Sequence, residues 1–209
     1  MGIENFTTFM VTALLFIMTP GIDTVFVLNK SISAGKKPGI YATLGVNSGV
    51  MVHTLFAALG LSIILAKSAL AFTVIKYLGA IYLIYLGLMK VIKKKENTMP
   101  DDQRPGKKRG KNNFLSGLLT NTLNPKVALF FLAFFPQFIN PNQIENPVPF
   151  ILLGFTYALI GLIWFLILTL FSGIFAQKFK ENPKANLWLN KFSGVVFILM
   201  GIKIALTKK

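Results

Sequence analysis

The chain has 209 residues, of which 54% are hydrophobic, and its mean hydropathy is +0.62. These values are typical of membrane proteins and exclude an ordinary water-soluble globular domain. The net charge of +15 would suggest nucleic acid as a partner in a soluble protein, but here the basic residues fall mostly in the connections between apolar stretches, where they act as topology signals. The chain has no cysteine, which excludes disulfides and thiolate metal sites.

Six apolar stretches are long enough to cross about 30 Å of hydrocarbon as helices. We therefore predict an all-α membrane protein with six transmembrane helices. The first stretch has no basic segment before it and no small-residue cleavage site after it, so we interpret it as a retained helix rather than a signal peptide. In chain order the predicted stretches are Phe6–Leu28, Tyr41–Ala66, Ala69–Val91, Phe114–Gln137, Pro147–Phe175 and Phe192–Leu206.

The first stretch is broken near its middle by Thr19-Pro20-Gly21, and Asp23 follows as its only charged residue. Proline has no N–H and leaves a backbone carbonyl without its helical partner. In lipid, such groups are tolerated only where protein or cavity water satisfies them. Asp23 is interpreted either as a ligand of a substrate ammonium group or a proton carrier, or as a helix cap near the cytoplasmic interface.

The second stretch and the loop before it contribute a histidine and four spaced glycines. His53 is the only histidine of the chain and is interpreted either as an interhelical hydrogen-bonding group or as a proton relay. Glycines four residues apart, Gly35 with Gly39 and Gly45 with Gly49, predict close approach between helices.

A strongly basic segment separates the third stretch from the fourth. From Lys93 to Lys111 it has eight Lys and Arg residues against three acids, which predicts a cytoplasmic loop. Alternation of the other connections then places both chain ends outside. We divide the chain into a first three-helix repeat (residues 1–92), a basic cytoplasmic linker (93–113) and a second three-helix repeat (114–209).

The fourth stretch contains a second break, Asn124-Pro125-Lys126, which combines a helix breaker with a positive charge. A lysine at the centre of a membrane helix costs about 3 kcal/mol, which favours a functional interpretation. Lys126 is interpreted as contacting a substrate carboxylate or controlling the pathway by its charge, or else as a strut that neutralises Asp23 or binds freed carbonyls. Asn121 and Asn124 are expected to hydrogen-bond across the break, to backbone groups or to a ligand. At 1.5 Å per residue, Lys126 lies about 18 Å and Asp23 about 8 Å from their cytoplasmic helix ends, so a direct ion pair is possible but not required.

The third and sixth stretches share a spacing, which suggests an internal repeat. Lys76-Tyr77-x-Gly79-x-x-Tyr82 matches Lys191-Phe192-x-Gly194-x-x-Phe197, and a later glycine follows each, Gly87 or Gly201. With the two proline breaks, this predicts a 3+3 inverted repeat, because a unit of three crossings must enter the membrane from the opposite side in its second copy. Such repeats with broken helices are typical of secondary transporters, whose substrate site lies at the midplane between the breaks. The predicted site lies around Pro20, Gly21 and Pro125, where helix-dipole ends suit a zwitterion.

Other functional classes lack their characteristic residues. A passive channel would use a ring of acids or carbonyl-rich filter loops, and the sequence has neither. An intramembrane enzyme is disfavoured because there is no His-Glu-x-x-His motif, no pair of buried acids and no cysteine. A metal exporter is disfavoured because clustered metal ligands are missing, so we expect no metal and no cofactor. The alternatives kept are export of another small metabolite and a passive channel.

Four motifs follow one another along the chain. They are Thr19-Pro20-Gly21; the glycines Gly35, Gly39, Gly45 and Gly49; Gly79-x-x-Tyr82-Leu83-x-Tyr85-Leu86-Gly87; and Gly117-Leu-Leu-Thr-Asn121-x-x-Asn124-Pro125-Lys126 with Phe135-Pro136-Gln137-Phe138 after it. In these motifs the chain resembles the LysE/RhtB family of amino-acid exporters, and the resemblance runs through nearly all of its length.

The resemblance implies six helices in the bacterial plasma membrane, with the two proline-containing helices forming the pathway. It implies proton-driven export of amino acids or close derivatives, such as basic amino acids, homoserine, threonine, leucine or cysteine. Asp23 matches an acid common after the first motif, whereas Ile22 stands where the family often has a second proline. Our hypothesis is that Asp23 titrates, with His53 as a second proton-coupling candidate, and that Lys126 handles the substrate carboxylate. The particular substrate, the coupling ion and the oligomeric state stay open, with a homodimer as one option.

Overall fold

The computed structural model describes residues 2–61, 68–92 and 110–174, together with residues 191, 194–195, 198–199, 201–202 and 205–206. Within them, the prediction of an all-helical chain is confirmed, since the helices are accompanied only by short connections and one isolated antiparallel bridge between Ile3 and Ile139. The main helices are α1 (Phe6–Met18), α2 (Ile22–Ser33), α3 (Lys36–Phe56), α4 (Ala69–Ile92), α5 (Gly110–Thr122), α6 (Pro125–Leu129) and α7 (Pro147–Leu170). A π-helical turn, Ala57–Leu61, continues α3, and α6 continues through the π-helical turn Phe130–Phe134 and the 3₁₀ turn Phe135–Phe138.

Up to four segments of the described chain have the length and apolar composition of a membrane span. Lys36–Gly60 and Pro147–Leu170 each qualify as one helix. Two more qualify as bent pairs: Phe6–Met18 with Ile22–Ser33, bent by 55°, and Asn112–Thr122 with Pro125–Phe138, bent by 46°. The first and fourth predicted stretches are therefore two helices each. Seven of the 15 residues of the sixth predicted stretch lie outside the described residues, as do residues 93–109 of the predicted linker.

Both bends occur at the predicted prolines. At the first, α1 ends at Met18 and Gly21 is extended, with φ −146° and ψ −168°, before α2 begins. At the second, Asn124 is extended and Pro125 is the first residue of α6, a position at which the missing N–H of proline costs nothing.

Glycines let α3 and α5 pack closely. A Cβ on Gly45 would collide with the carbonyl oxygen of Phe114, and a Cβ on Gly117 would lie 2.5 Å from the carbonyl oxygen of Ala42. A Cβ on Gly49 would lie 2.7 Å from the Cβ and Oδ1 of Asn121. The predicted close approach at Gly45 and Gly49 is confirmed. It is wrong for Gly35, which has nothing within 4 Å and instead supplies a positive φ of 95° before α3.

Helix α4 contacts the described residues near the C-terminus through the glycines of the repeated motif. A Cβ on Gly87 would lie 2.5 Å from the carbonyl oxygen of Gly194. In the same way, a Cβ on Gly201 would lie 2.7 Å from the carbonyl oxygen of Ala80. The two later glycines of the repeated motif thus make reciprocal contacts.

An aromatic cluster fills the space between α1, the continuation of α6 and α7. The ring centroids of Phe16 and Phe130 are 4.4 Å apart, and those of Phe9 and Phe138 are 5.3 Å apart. The cluster consists of buried residues: Phe9, Phe16, Phe130, Phe131, Phe134, Phe135, Phe138 and Tyr157.

A short strap lies beyond this cluster and joins the start of the chain to the end of the fourth span. We call residues 2–4 with residues 138–140 the terminal strap. The N–H of Glu4 donates to the carbonyl of Phe138, and the N–H of Asn140 donates to the carbonyl of Gly2, both at 2.8 Å. The side-chain amide of Asn140 also donates to Glu4 Oε1 at 2.8 Å.

Candidate functional site

Lys126 connects the two breaks through backbone carbonyls. It is the second residue of α6, and its ammonium nitrogen Nζ donates to the carbonyl oxygens of Phe16 and Thr19, each at 2.8 Å. In an unbroken helix, the Phe16 carbonyl would accept from the N–H of residue 20, which is absent in Pro20. Lys126 therefore replaces the donor that the proline removes, at the negative end of the α1 dipole.

Asp23 occupies the corresponding position in the other half of the chain. It is the second residue of α2 and is buried. Its Oδ2 accepts hydrogen bonds from the side-chain amides of Asn121, at 2.8 Å, and Asn124, at 3.0 Å. Its other oxygen, Oδ1, is buried and has no hydrogen-bond donor among the described residues.

The two asparagines join the second break to Asp23 in different ways. Asn124 caps α6, because its Oδ1 accepts from the backbone N–H of Lys126 at 3.0 Å while its Nδ2 donates to Asp23. The Oδ1 of Asn121 is buried without a donor in the described part of the chain. The expected bonding of Asn121 and Asn124 across the break is therefore present, and it runs to a carboxylate as well as to the backbone.

His53 contacts a backbone carbonyl at the second break, as Lys126 does at the first. Its Nε2 lies 3.1 Å from the carbonyl oxygen of Asn121. That carbonyl is four residues before Pro125, so it is the group whose helical donor the second proline removes. Because a carbonyl only accepts, Nε2 carries the hydrogen. Each of these two carbonyls thus contacts a side chain from the other predicted repeat, and that of Asn121 also accepts from the N–H of Asn124 at 2.9 Å.

The breaks line a cavity of about 20 Å³. This volume holds about one water molecule and is too small for a whole amino acid. Twelve residues line it: Ile17, Gly21, Asp23, Thr24, Val50, Asn121, Asn124, Lys126, Val127, Tyr157, Gly161 and Phe165.

Of the predicted site residues, Asp23, Lys126, Asn121, Asn124 and Gly21 line this one cavity. Pro20 and Pro125 form the breaks beside it, and His53 contacts Asn121 from α3. Along straight helices, Lys126 and Asp23 would lie at different depths in the membrane. Because both spans bend, the two residues line the same cavity. A Cβ on Gly21, two residues before Asp23, would lie 3.5 Å from Lys126 Nζ.

Sequence reasoning missed the apolar part of the lining, which includes Val50, Val127 and Phe165. Aliphatic and aromatic residues occur throughout the spans, so nothing in the sequence separates those that face the cavity from those that face lipid.

No group of three or more His, Asp or Glu side chains is placed to hold a metal ion in the described ranges.

The chain matches the family model for the LysE type translocator over residues 14–208, which is most of its length and includes both breaks. The chain belongs to the LysE type translocator family. The resemblance predicted from the motifs is confirmed. With its apolar helices, this membership makes the chain a multi-pass membrane protein of the bacterial plasma membrane.

Relatives in several bacteria match this LysE type translocator along nearly the whole of both chains. The "Uncharacterized membrane protein YrhP" of Bacillus subtilis (strain 168) is 37% identical over 93% of this chain and 95% of its own. A protein named "Leucine efflux protein" in Klebsiella pneumoniae is 34% identical, and one of the same name in Enterobacter sp. (strain 638) is 31% identical, each over 98% of this chain and 96% of its own. No solved structure matches the chain.

Proposed function

We propose that this translocator exports amino acids or their close derivatives across the plasma membrane by proton antiport. The family and the relatives named leucine efflux proteins support the export of an amino acid, and leucine is the first substrate to test. We further propose six spans in two inverted repeats, residues 1–92 and 114–209, joined by the basic linker 93–113.

The observation that carries the proposal is the mutual bonding of two broken helices around one cavity. Lys126 of the second repeat binds carbonyls at the first break, while Asp23 of the first repeat accepts amides from the second break. Both charged residues are the second residue of a half-helix. The reciprocal glycine contacts of Gly87 and Gly201 support the same repeat.

A small cavity between two breaks suits alternating access. Substrate would enter when the broken helices part on one side, and the hydrogen bonds across the cavity would re-form behind it. In this scheme Asp23 carries the proton, His53 is the second proton-coupling candidate, and Lys126 controls the pathway by its charge. Asn121, Asn124, Pro20, Gly21 and Pro125 complete the proposed substrate site.

The site uses residues of a single chain, so each subunit of a homodimer would hold a complete one. Transport needs binding and release without bond chemistry, which agrees with a translocator family and with a site built from amides, one carboxylate and one ammonium.

The test is uptake into everted membrane vesicles, whose cytoplasmic face is outside. Labelled leucine, threonine, homoserine and lysine are supplied with and without an acid-inside pH gradient. We expect saturable, gradient-dependent uptake of one or a few of them by the native chain and none by Lys126→Ala, while the exposed-lysine control Lys37→Ala behaves as native. If folded native protein takes up no amino acid, the proposal is wrong; non-saturable flux would indicate a channel.

A further inference from the structure

Two oxygen atoms at the site lack hydrogen-bond donors. Asp23 Oδ1 and Asn121 Oδ1 are both buried, and no donor reaches them from the described chain. Their residues are 7% and 1% exposed and line the same cavity. A carboxylate oxygen and an amide oxygen can only accept, so a ligand that satisfies them must bring N–H or O–H donors.

The amide donors at the site are already used. Asn121 Nδ2 and Asn124 Nδ2 donate to Asp23 Oδ2. Two of the three N–H groups of Lys126 point to the carbonyls of Phe16 and Thr19. The two acceptors that stay without a donor, Asp23 Oδ1 and Asn121 Oδ1, therefore favour a ligand that donates.

From this pattern we propose that Asp23 Oδ1 and Asn121 Oδ1 bind the ammonium group of the exported compound. The translocator then selects its substrates by a free amine rather than by a carboxylate. An ammonium group has three N–H donors and a positive charge, whereas a carboxylate has neither and would face the negative oxygen of Asp23. This inference rests on the proposed export function and specifies which end of the substrate the site recognises.

The same arrangement links substrate binding to proton release. Asp23 Oδ1 can hold one proton or one ammonium group, and either one balances the negative charge of the Asp23 carboxylate. In the described part of the chain, the charged and titratable groups that face Asp23 are Lys126 on α6, His53 on α3 and Tyr157 on α7. Since the proton and the amine use one oxygen, loading one requires release of the other, which is the condition for antiport.

Three compounds of one shape separate the amine from the carboxylate. L-leucine has both groups, L-leucinamide keeps only the amine, and N-acetyl-L-leucine keeps only the carboxylate. Their effect on thermal unfolding is measured with the purified full chain in detergent, at one mildly acid pH at which the amines are charged. No membrane gradient is involved, so leucinamide cannot act by collapsing one. A ligand that binds the folded protein raises its unfolding midpoint in proportion to the logarithm of its concentration.

We expect leucine and leucinamide at saturating concentration to raise the midpoint and N-acetyl-leucine to leave it unchanged. Asp23→Asn should remove both shifts and Asp23→Glu should keep a part of them, while Glu145→Gln, at an exposed acid, should respond as native. The unliganded midpoint of each variant shows whether it has folded. If Asp23→Asn does not fold, the three compounds on the native chain still decide the question.

The inference is overturned if N-acetyl-leucine stabilises the native chain and leucinamide does not, or if folded Asp23→Asn keeps its response to leucinamide. It also falls if none of the three compounds shifts the midpoint while native vesicles take up leucine. If the vesicles take up no amino acid but leucinamide still shifts the midpoint, the export proposal fails and the amine site stands.

Discussion

The ammonium nitrogen of Lys126 lies 2.8 Å from the carbonyl oxygen of Phe16, the acceptor that Pro20 leaves without its helical donor. The bond joins residues 110 positions apart and ties the second predicted repeat to the first. A lysine at the second position of a helix is opposed by the dipole of that helix, but here the charge lies at the C-terminal end of α1, where a cation is favoured. Lys126 therefore stabilises the break that it faces.

Replacing Lys126 with methionine should destabilise the protein as well as stop transport. Methionine fills a similar volume but donates nothing to the carbonyls of Phe16 and Thr19, and the loss of a hydrogen bond from a charged donor costs about 1.5–3 kcal/mol. Thermal unfolding in detergent should show a lower midpoint for Lys126→Met than for the matched control Lys37→Met, an exposed site. An unchanged midpoint would show that the two carbonyls do not depend on this side chain.

Variants of His53 separate a hydrogen-bond donor from a proton relay. In the native structure the ring centroids of His53 and Phe131 are 5.6 Å apart. His53→Phe keeps an aromatic ring at this position but cannot donate to the Asn121 carbonyl. His53→Gln retains an N–H donor and does not titrate. We expect gradient-dependent uptake to survive in His53→Gln and to fall steeply in His53→Phe. If His53→Gln transports leucine but no longer responds to the pH gradient, His53 is part of the proton path.

The close contact between Gly49 and Asn121 should make α3 intolerant of even one methyl group. A Cβ at residue 49 would lie 2.7 Å from Asn121 Oδ1, so Gly49→Ala must displace the amide that holds Asp23. Uptake should fall by at least an order of magnitude, since small displacements of binding groups have effects of that size. Gly60→Ala is the matched control because no atom of the described residues lies within 4 Å of a Cβ placed there. Equal uptake by the two variants would contradict the role given to this contact.

We expect the terminal strap to open during the transport cycle, because it joins the ends of two helices that must separate in alternating access. Ile3 and Ile139 face each other as an antiparallel pair whose flanking residues make the hydrogen bonds, a geometry with Cα atoms about 4.5 Å apart, within reach of a disulfide. The native chain has no cysteine, so Ile3→Cys with Ile139→Cys gives a single defined cross-link.

We expect oxidation of this double variant to stop uptake and a reductant to restore it, with either single variant unaffected by oxidant. Gel mobility or mass measurement of the intact chain shows whether the link has formed. Full uptake by a completely cross-linked sample would mean that the strap stays closed throughout the cycle.

The sequence predicted the two breaks because proline has the same local effect wherever it occurs in a helix. It also drew attention to Asp23 and Lys126, because charges are rare in an apolar span. It could not predict that Lys126 binds the Phe16 carbonyl, or that His53 binds the Asn121 carbonyl, because these partners are 110 and 68 positions away and are set by how the spans bend and pack. For the same reason, straight-helix distances could not show that Asp23 and Lys126 line one cavity, while the direct ion pair, taken as possible but not required, stays a prediction.

The glycine patterns also show that spacing in the sequence does not determine which contact a residue makes. A four-residue spacing predicts close approach, and Gly45 and Gly49 provide it, but Gly35 has that spacing and serves a turn with positive φ. The terminal strap was not predicted at all, because three residues before the first helix carry no periodicity. The six-span arrangement and the inverted repeat stay predictions, since the last stretch is described only in short pieces.

The most direct test of the account follows protons rather than substrate. Everted vesicles with an acid lumen are loaded with a pH-sensitive dye, and leucine is added outside. If Asp23 exchanges its proton for the substrate amine, leucine makes the lumen of native vesicles less acid, and Asp23→Asn vesicles with the same amount of folded protein show no response. Release of as many protons per leucine by Asp23→Asn as by the native chain would contradict the central role of Asp23.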